Sequence, residues 1–288
     1  MKILVTGSNG QLGRELRNVL EEELPGITTY TDVDDLDICD GKAVEQFVID
    51  GEYTHIVNCA AYTAVDKAES EQTLCYAINA EAVKNIAAAA SKAGAKVLHI
   101  STDYVFDGTS CRPYKESDKV NPVSAYGTSK RKGEMHLLAM CPDAVIIRTA
   151  WLYSPYGRNF VKTMIELGRE KKQLRVVADQ IGTPTSAADL AQTIVAIIKA
   201  RHWMPGTYHF TNEGACSWYD FTKIIHSIAG IEGCEVVPVT TADYPTAASR
   251  PPYSVLDKSS IKNTYNLTIP FWVDSLRKVI ERLKTNNY

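Results

Sequence analysis

Short apolar runs alternate with amphipathic stretches through the first half of the chain. Runs with the length and composition of buried strands occupy positions 2–6, 27–31, 55–59, 96–101 and 144–149. Between them, residues 12–20, 71–93 and 124–141 have helical patterns, with Leu12 and Leu16 on one helix face. Strands that alternate with helices predict an α/β fold, a doubly wound parallel sheet covered by helices on both faces.

Four segments with polar or glycine-rich character follow the ends of predicted strands: 7–13, 58–63, 102–103 and 149–151. The carboxyl ends of parallel strands lie along one edge of a sheet, and ligands of such folds bind there. The convergence of four segments on that edge predicts one ligand-binding cleft.

The glycine-rich turn after the first strand, Gly7-x-x-Gly10-x-x-Gly13, is typical of dinucleotide-binding sites. It joins a strand to a helix, its glycines let the backbone approach a pyrophosphate, and the helix N-terminus offers N–H groups to it. The spacing is a variant of the usual G-x-G-x-x-G. The sequence therefore predicts a Rossmann-type domain, and a tight turn without a ligand is the weaker alternative.

Acidic residues after the second predicted strand bear on the choice of cofactor. Asp32 follows the last glycine by about 20 residues, where a carboxylate bonds the adenosine ribose and favours NAD over NADP. Further aspartates crowd this loop, so a merely solvated acidic loop is the alternative interpretation. A further alternative places Asp37 and Ile38 near the adenine, with the isoleucine packed on the ring.

Tyr126 and Lys130 have the spacing that places a phenol and an ammonium on neighbouring turns of one helix face. A nearby ammonium lowers the pKa of a tyrosine from about 10 towards neutral pH, which suits proton transfer to a substrate oxygen. Thr102 and Asp103, at the end of another strand, are expected beside them. A turn or helix cap is the alternative for that pair.

Composition sets the broad class and excludes several functions. The chain has 288 residues, 45% of them hydrophobic, and a formal net charge of −3, so it lacks the basic character of a nucleic-acid-binding protein. Its seven cysteines show neither zinc nor disulfide spacing, which predicts reduced thiols and no metal site. No apolar run reaches the length of a membrane span, and no signal peptide precedes the first strand. We expect a cytoplasmic protein.

The local composition of the chain changes after about residue 150, where prolines become frequent and predicted strands become shorter. We therefore predict a dinucleotide-binding domain over 1–150 and a smaller, mainly substrate-binding lobe over 151–288. The apolar segments 190–198 and 207–210 leave open a return of the chain to the main sheet.

Taken together, these motifs resemble the extended short-chain dehydrogenase/reductase superfamily that acts on nucleotide sugars. Longer strings resemble, more narrowly, its dTDP-4-dehydrorhamnose reductase family over essentially the whole length. The strings are LVTGSNGQLG from residue 4, CAAYTAVDKAE from 59, STDYVFDG from 101, RTAW from 148, DQxGxPT from 179 and WYDF from 218.

The resemblance implies hydride transfer from NADPH or NADH to the C4 ketone of a dTDP-6-deoxy-4-ketohexose. By the family pattern, Tyr126 donates the proton, Lys130 lowers its pKa and bonds the nicotinamide ribose, and Thr102 polarises the carbonyl. Asp103 and Trp151 are implied to contact the sugar. The implied cofactor contacts are Gly7, Gly10, Gln11, Leu12, Gly13, Asp32, Asp37, Ile38, Ala61, Tyr62 and Thr63, together with Tyr126 and Lys130.

Several alternatives stay open at this point. Arg250 is a candidate diphosphate ligand because a guanidinium suits oxyanions, although an ordinary surface arginine is nearly as good an interpretation, and Asn159 has the same standing. A 4-epimerase, another nucleotide-sugar reductase and a non-catalytic dinucleotide-binding subunit are the rival functions. Tyr104, where a 4,6-dehydratase has glutamate, argues against dehydration. The partner is expected to be a dTDP-sugar, and the protein a monomer or a homodimer.

Overall fold

The computed structural model describes residues 1–285. The strands within this range are β1 (Ile3–Thr6), β2 (Thr28–Thr31), β3 (His55–Asn58), β4 (Lys96–Thr102), β5 (Val145–Thr149), β6 (Leu152–Tyr153), β7 (Gln173–Val177), β8 (Ile181–Gly182), β9 (Thr185–Ser186), β10 (Gly206–His209), β11 (Cys216–Ser217) and β12 (Glu235–Val239). The strands predicted for the first 150 residues are confirmed, with ends that differ by one or two residues.

Helices connect these strands. They are α1 (Gln11–Glu23), α2 (Gly41–Asp50), α3 (Val65–Ala68), α4 (Gln72–Tyr76), α5 (Ala82–Ala93), α6 (Ala125–Met140), α7 (Phe160–Glu170), α8 (Ala187–Lys199), α9 (Trp218–Ala229), α10 (Ser259–Tyr265) and α11 (Trp272–Thr285). A π-helical turn, Ala77–Glu81, joins α4 to α5. The long helix predicted over 71–93 is therefore present, with a local change of winding in its middle.

Six strands form one parallel sheet in the order β10-β5-β4-β3-β1-β2. Alternate residues of each strand face opposite sides: Ile3 and Val5 pack against α1 and α8, whereas Leu4 packs against α2 and α5. Both faces of the sheet are therefore buried under helices. This confirms the predicted α/β fold of Rossmann type.

A second core lies outside the sheet and belongs to the smaller lobe. Its apolar residues come from α7, α9 and α11 and from the two-stranded parallel pair β7–β12, with Phe221 and Trp272 packed edge to face. The chain enters this lobe after β5, returns to the main sheet through α8 and β10, and then re-enters it. The open question about 190–198 and 207–210 is thus answered, because β10 pairs with β5 and α8 covers α1. Residues 286–288 of the predicted lobe lie outside the described residues.

Buried charges, rather than apolar contacts alone, dock α6 onto the sheet. Glu134 is fully buried and accepts hydrogen bonds from Ser101 Oγ at 2.6 Å and from Arg148 Nε and Nη2 at 2.8 Å each. Arg131 Nη1 donates to the same carboxylate at 2.8 Å. These bonds hold the pKa of Glu134 below its usual range, although its burial acts in the opposite direction.

Replacing Glu134 by glutamine is expected to destabilise the protein strongly, because Arg148 would remain buried without its counter-charge. We expect a loss of about 3 kcal/mol in the free energy of unfolding, measured by urea denaturation. Glu45→Gln is the matched control, since Glu45 forms an exposed ion pair with Lys92 whose removal is expected to cost less than about 1 kcal/mol. Equal effects of the two substitutions would contradict this account of how α6 is held.

Candidate active site

A cleft of about 580 Å³ lies beyond the carboxyl ends of β1, β3, β4 and β5. All four segments predicted to converge there contribute to its walls. The predicted site residues that line it are Gly7, Gly10, Gln11, Leu12, Gly13, Ala61, Thr63, Thr102, Asp103, Tyr126, Lys130, Trp151 and Asn159. The sheet edge therefore brings together residues that are up to about 150 positions apart in the chain.

The glycine turn is packed so closely that side chains are excluded from two of its positions. Gly7 has a φ of +66°, and a Cβ placed on it would lie 2.6 Å from the Ala60 backbone. A Cβ on Gly13 would lie 2.4 Å from the Gly7 carbonyl oxygen. The turn leads into α1, whose N-cap, Gly10, supplies no side-chain cap. The N–H groups of the first helical turn therefore face the cleft without a side-chain acceptor from the cap.

The acidic loop after β2 braces the glycine turn from outside the cleft. Asp32 Oδ2 accepts a hydrogen bond from Asn9 N at 2.8 Å, which places this carboxylate beside the turn. Asp37 Oδ1 accepts a bond from Cys39 N. Ile38 keeps only 8% of its surface exposed because it packs into the core against α2 and α5. Its expected packing on an adenine ring is not supported by this placement.

The extended segment after β3 presents alternate residues to the cleft. Cys59, Ala61, Thr63 and Val65 line it, as the two-residue period of an extended chain requires. Tyr62 therefore points away, and its phenol donates to Glu71 Oε2 at 2.6 Å. A contact of the Tyr62 side chain with a cofactor is not supported, although its backbone flanks the two residues that face the cleft.

Tyr126 lies in the first turn of α6, which begins at a defined cap. Ser124 Oγ accepts a bond from Gly127 N at 3.1 Å, and Glu69 Oε1 accepts one from Ala125 N at 2.9 Å. The Tyr126 ring packs edge to face on Tyr104 with the ring centroids 5.5 Å apart. Both caps fix the start of the helix, and with it the position of the Tyr126 phenol.

The electrostatics of the Tyr126–Lys130 pair differ from expectation. Burial raises the pKa of Tyr126 above its usual value, and the hydrogen bond with Thr102 lowers it only in part. Lys130 donates instead to the Ile100 carbonyl oxygen at 2.6 Å, and burial lowers the pKa of this ammonium to about 8. The expectation that Lys130 depresses the pKa of Tyr126 is thus wrong for this arrangement, because burial dominates this pKa and the group that lowers it is Thr102, not Lys130.

Thr102 and Asp103 form the turn that ends β4. Thr102 Oγ1 donates to Asp103 Oδ1 at 3.0 Å and accepts from Tyr104 N at 3.2 Å. Burial raises the pKa of Asp103 to about 6, while bonds from Ser254 and Thr102 lower it in part. The predicted cap is therefore present, and both side chains also line the cleft.

Aromatic rings form the wall of the cleft on the side of the smaller lobe. Trp151 has a φ of +47°, unusual for a residue with a side chain, and its ring lies 3.4 Å from that of Trp218 at an angle of 11°. Gly182 leaves room for it, since a Cβ there would lie 2.7 Å from the indole. Phe160 also packs against Trp218, with the ring centroids 4.6 Å apart. Trp218 and Phe160 were not predicted as site residues, although Trp218 begins the family string at 218–221.

Asn159 and Arg250, the two candidate diphosphate ligands, both bind other protein groups and lie in different cavities. Asn159 caps α7 by accepting from Lys162 N at 3.2 Å, and its amide donates to Gln11 Oε1 at 2.9 Å. It thus links the smaller lobe to the glycine turn. Arg250 lies outside the cleft, in an adjoining cavity of about 280 Å³ that shares Phe160 and Trp218 with it. Arg175 also lines this second cavity and was not predicted.

The described residues contain no cluster of three or more His, Cys, Asp or Glu side chains suited to a metal ion. Glu15, in α1, is buried and accepts a bond from Arg282 Nη1 at 2.7 Å. Within residues 1–285, none of the helices has the length and apolarity to cross a membrane.

Comparison with known proteins identifies the family. The model of the RmlD substrate binding domain matches residues 1–285. A dTDP-4-dehydrorhamnose reductase from Aggregatibacter actinomycetemcomitans is 40% identical over 96% of this chain and 98% of its own. The crystal structure of a dTDP-4-dehydrorhamnose reductase from Clostridium acetobutylicum is 47% identical, matches 99% of this chain and 100% of its own, and superposes with a TM-score of 0.94. The structure of the reductase from Bacillus anthracis in complex with NADP is 42% identical, matches 98% of this chain and 100% of its own, and has a TM-score of 0.93. The chain belongs to the RmlD family, together with these dTDP-4-dehydrorhamnose reductases.

Proposed function

We propose that this protein reduces the C4 ketone of dTDP-4-dehydro-6-deoxy-L-mannose (dTDP-4-dehydrorhamnose) with NADPH or NADH and so produces dTDP-L-rhamnose, the last step of its synthesis. The observation that carries the proposal is the meeting of the glycine turn with Thr102, Tyr126 and Lys130 in one cleft. The full-length match to reductases of this name supports the substrate.

The residues at the glycine turn fit a dinucleotide. Gly7 and Gly13 let the turn pack closely against the Ala60 and Ser8 backbones, and the N-terminus of α1 offers hydrogen-bond donors to a pyrophosphate. Asp32, beside the turn, is suited to ribose hydroxyls. When bound, the nicotinamide supplies the hydride. The relative from Bacillus anthracis, with bound NADP, supports the use of this cofactor class.

Tyr126 is the proposed proton donor. Reduction of a ketone places negative charge on the C4 oxygen, and the phenol of Tyr126 gives that oxygen its proton. A raised pKa keeps this phenol protonated at neutral pH, so it is ready to act as the acid. Thr102 lies beside it. With substrate bound, its hydroxyl, which here donates to Asp103 Oδ1, would turn to the same oxygen and stabilise the developing charge. Lys130 is assigned to orienting the ribose from the next helical turn.

The two ends of the substrate are assigned to the two cavities. The sugar would lie against Asp103 and the Trp151 ring in the cleft, and the nucleotide would extend past Phe160 and Trp218 into the second cavity. There Arg175 and Arg250 provide positive charge for a diphosphate. We accordingly assign cofactor binding mainly to residues 1–150 and substrate binding mainly to the lobe after residue 150.

The setting of the protein is proposed from its composition. A negative net charge argues against nucleic acid as a partner. Seven free cysteines accord with a cytoplasmic location. Both a monomer and a homodimer are compatible with the described surface.

Tyr126→Phe is expected to lower kcat by about 10²- to 10⁴-fold, since it removes the proton donor and leaves the cleft its shape. The rate is followed as the loss of NADPH absorbance with dTDP-4-dehydrorhamnose. Tyr265→Phe is the matched control, because its phenol bonds Met204 O away from the cleft. If the Tyr126→Phe variant kept more than about a tenth of the wild-type rate, Tyr126 would lose its assigned role.

Asp32→Asn is expected to shift the ratio of kcat/KM for NADPH over NADH upward by about tenfold. The carboxylate beside the glycine turn repels a 2′-phosphate, and an amide keeps the bond to Asn9 N while removing the charge. Asp34→Asn, on the exposed part of the same loop, is the control. An unchanged ratio would show that Asp32 does not face the ribose.

A further inference from the structure

The Asp66 carboxylate connects the two sides of the site. It lies in α3, next to the cleft-lining residue Val65. Its Oδ2 accepts from Arg250 Nη2 at 2.6 Å, and its Oδ1 accepts from Arg250 Nη1 at 2.9 Å and from Ala248 N at 3.1 Å. Both oxygens thus bind the segment 241–250, which lies about 180 residues further along the chain.

That segment covers the second cavity. Tyr244, Thr246 and Arg250 line it, and its other end is fastened where Thr241 N and Oγ1 donate to Asp179, the shortest of these bonds being 2.7 Å. Most residues between these two attachments are exposed. Asp66 therefore fixes the position of that end of the segment which carries the Arg250 guanidinium.

The geometry of the pair leaves Arg250 able to bind a second anion. A guanidinium has five N–H donors in a planar fork, and Asp66 engages one on each terminal nitrogen. Arg250 Nη1 also reaches the Ala248 carbonyl oxygen at 3.4 Å. Within residues 1–285 these contacts use three of the five donors, which leaves two for an anion. The bidentate contact keeps the plane of the fork in one orientation.

We propose that Asp66 is a positioning residue for the nucleotide end of the substrate, which acts by holding the Arg250 guanidinium at the second cavity for a diphosphate. This inference rests on the proposed function. A side chain held in its binding orientation loses less conformational entropy when the ligand arrives. Because Asp66 adjoins the segment 59–65, the same contact ties the substrate side to the cofactor side of the cleft.

The test compares Asp66→Asn with the wild type at saturating NADPH. We expect KM for dTDP-4-dehydrorhamnose and the calorimetric Kd of dTDP to rise about tenfold, as the loss of one charge-assisted contact implies. The kcat value and the Kd of NADPH are expected to stay within about twofold, which separates positioning from general damage. Asp118→Asn is the matched control, since Asp118 forms the same two-bond pair with Arg112 at 2.9 Å elsewhere.

An exchange of the two charged residues distinguishes a positioning role of Asp66 from a purely structural contact. The double variant Asp66→Arg/Arg250→Asp rebuilds an ion pair and is expected to recover thermal stability, but KM and the Kd of dTDP stay high because a carboxylate then faces the cavity. Recovered dTDP affinity in that variant would overturn the proposal. So would an unchanged or lowered KM in Asp66→Asn, the latter because it would make Asp66 a competitor of the diphosphate. A wild type that binds dTDP but does not oxidise NADPH would reject the proposed function and leave the dTDP measurements to judge Asp66.

Discussion

The buried face of α6 carries charged side chains, and the geometry of the site depends on the partners to which these side chains are hydrogen-bonded. Lys130 and Glu134 stand one turn apart and are both inaccessible to water, one bonded to the Ile100 carbonyl and the other to Arg148. Removal of such groups from water is costly unless each finds its partner. An apolar interface would tolerate small slides of the helix along the sheet, whereas these directional bonds permit one register. The position of Tyr126, on the same helix, follows from that register.

The remaining parts of the site are placed by the topology of the sheet. Parallel strands deliver the glycine turn, the extended segment after β3 and the Thr102–Asp103 turn to one edge, and the return of the chain through β10 completes the sheet on the other side of β5. The contacts of the smaller lobe with this edge include the Asn159–Gln11 hydrogen bond and the Asp66–Arg250 pair. Both contacts join residues of the predicted cofactor side to residues of the predicted substrate side.

Local patterns predicted local features well. Apolar runs, helical spacing and the glycine turn indicated the strands, helices and dinucleotide cradle, because each depends on neighbours in sequence. The second cavity could not be predicted, since Phe160, Arg175, Trp218, Tyr244 and Arg250 meet only after the lobe has folded. The direction of the Tyr126 pKa escaped prediction for a related reason: the spacing to Lys130 was visible in the sequence, but the burial that raises this pKa was not. The packing of Ile38 in the core was not visible in the sequence either.

The stacked indoles of Trp151 and Trp218 have an optical consequence. Two indole rings that are stacked nearly parallel with centroids 3.4 Å apart couple their electronic transitions. The left-handed backbone of Trp151 and the space left by Gly182 place the Trp151 ring in this stack. The near-ultraviolet circular dichroism of the protein should therefore contain a contribution from this pair, which holds two of the four tryptophans. Since the pair forms a wall of the cleft, a ligand that enters the cleft should change this circular dichroism signal.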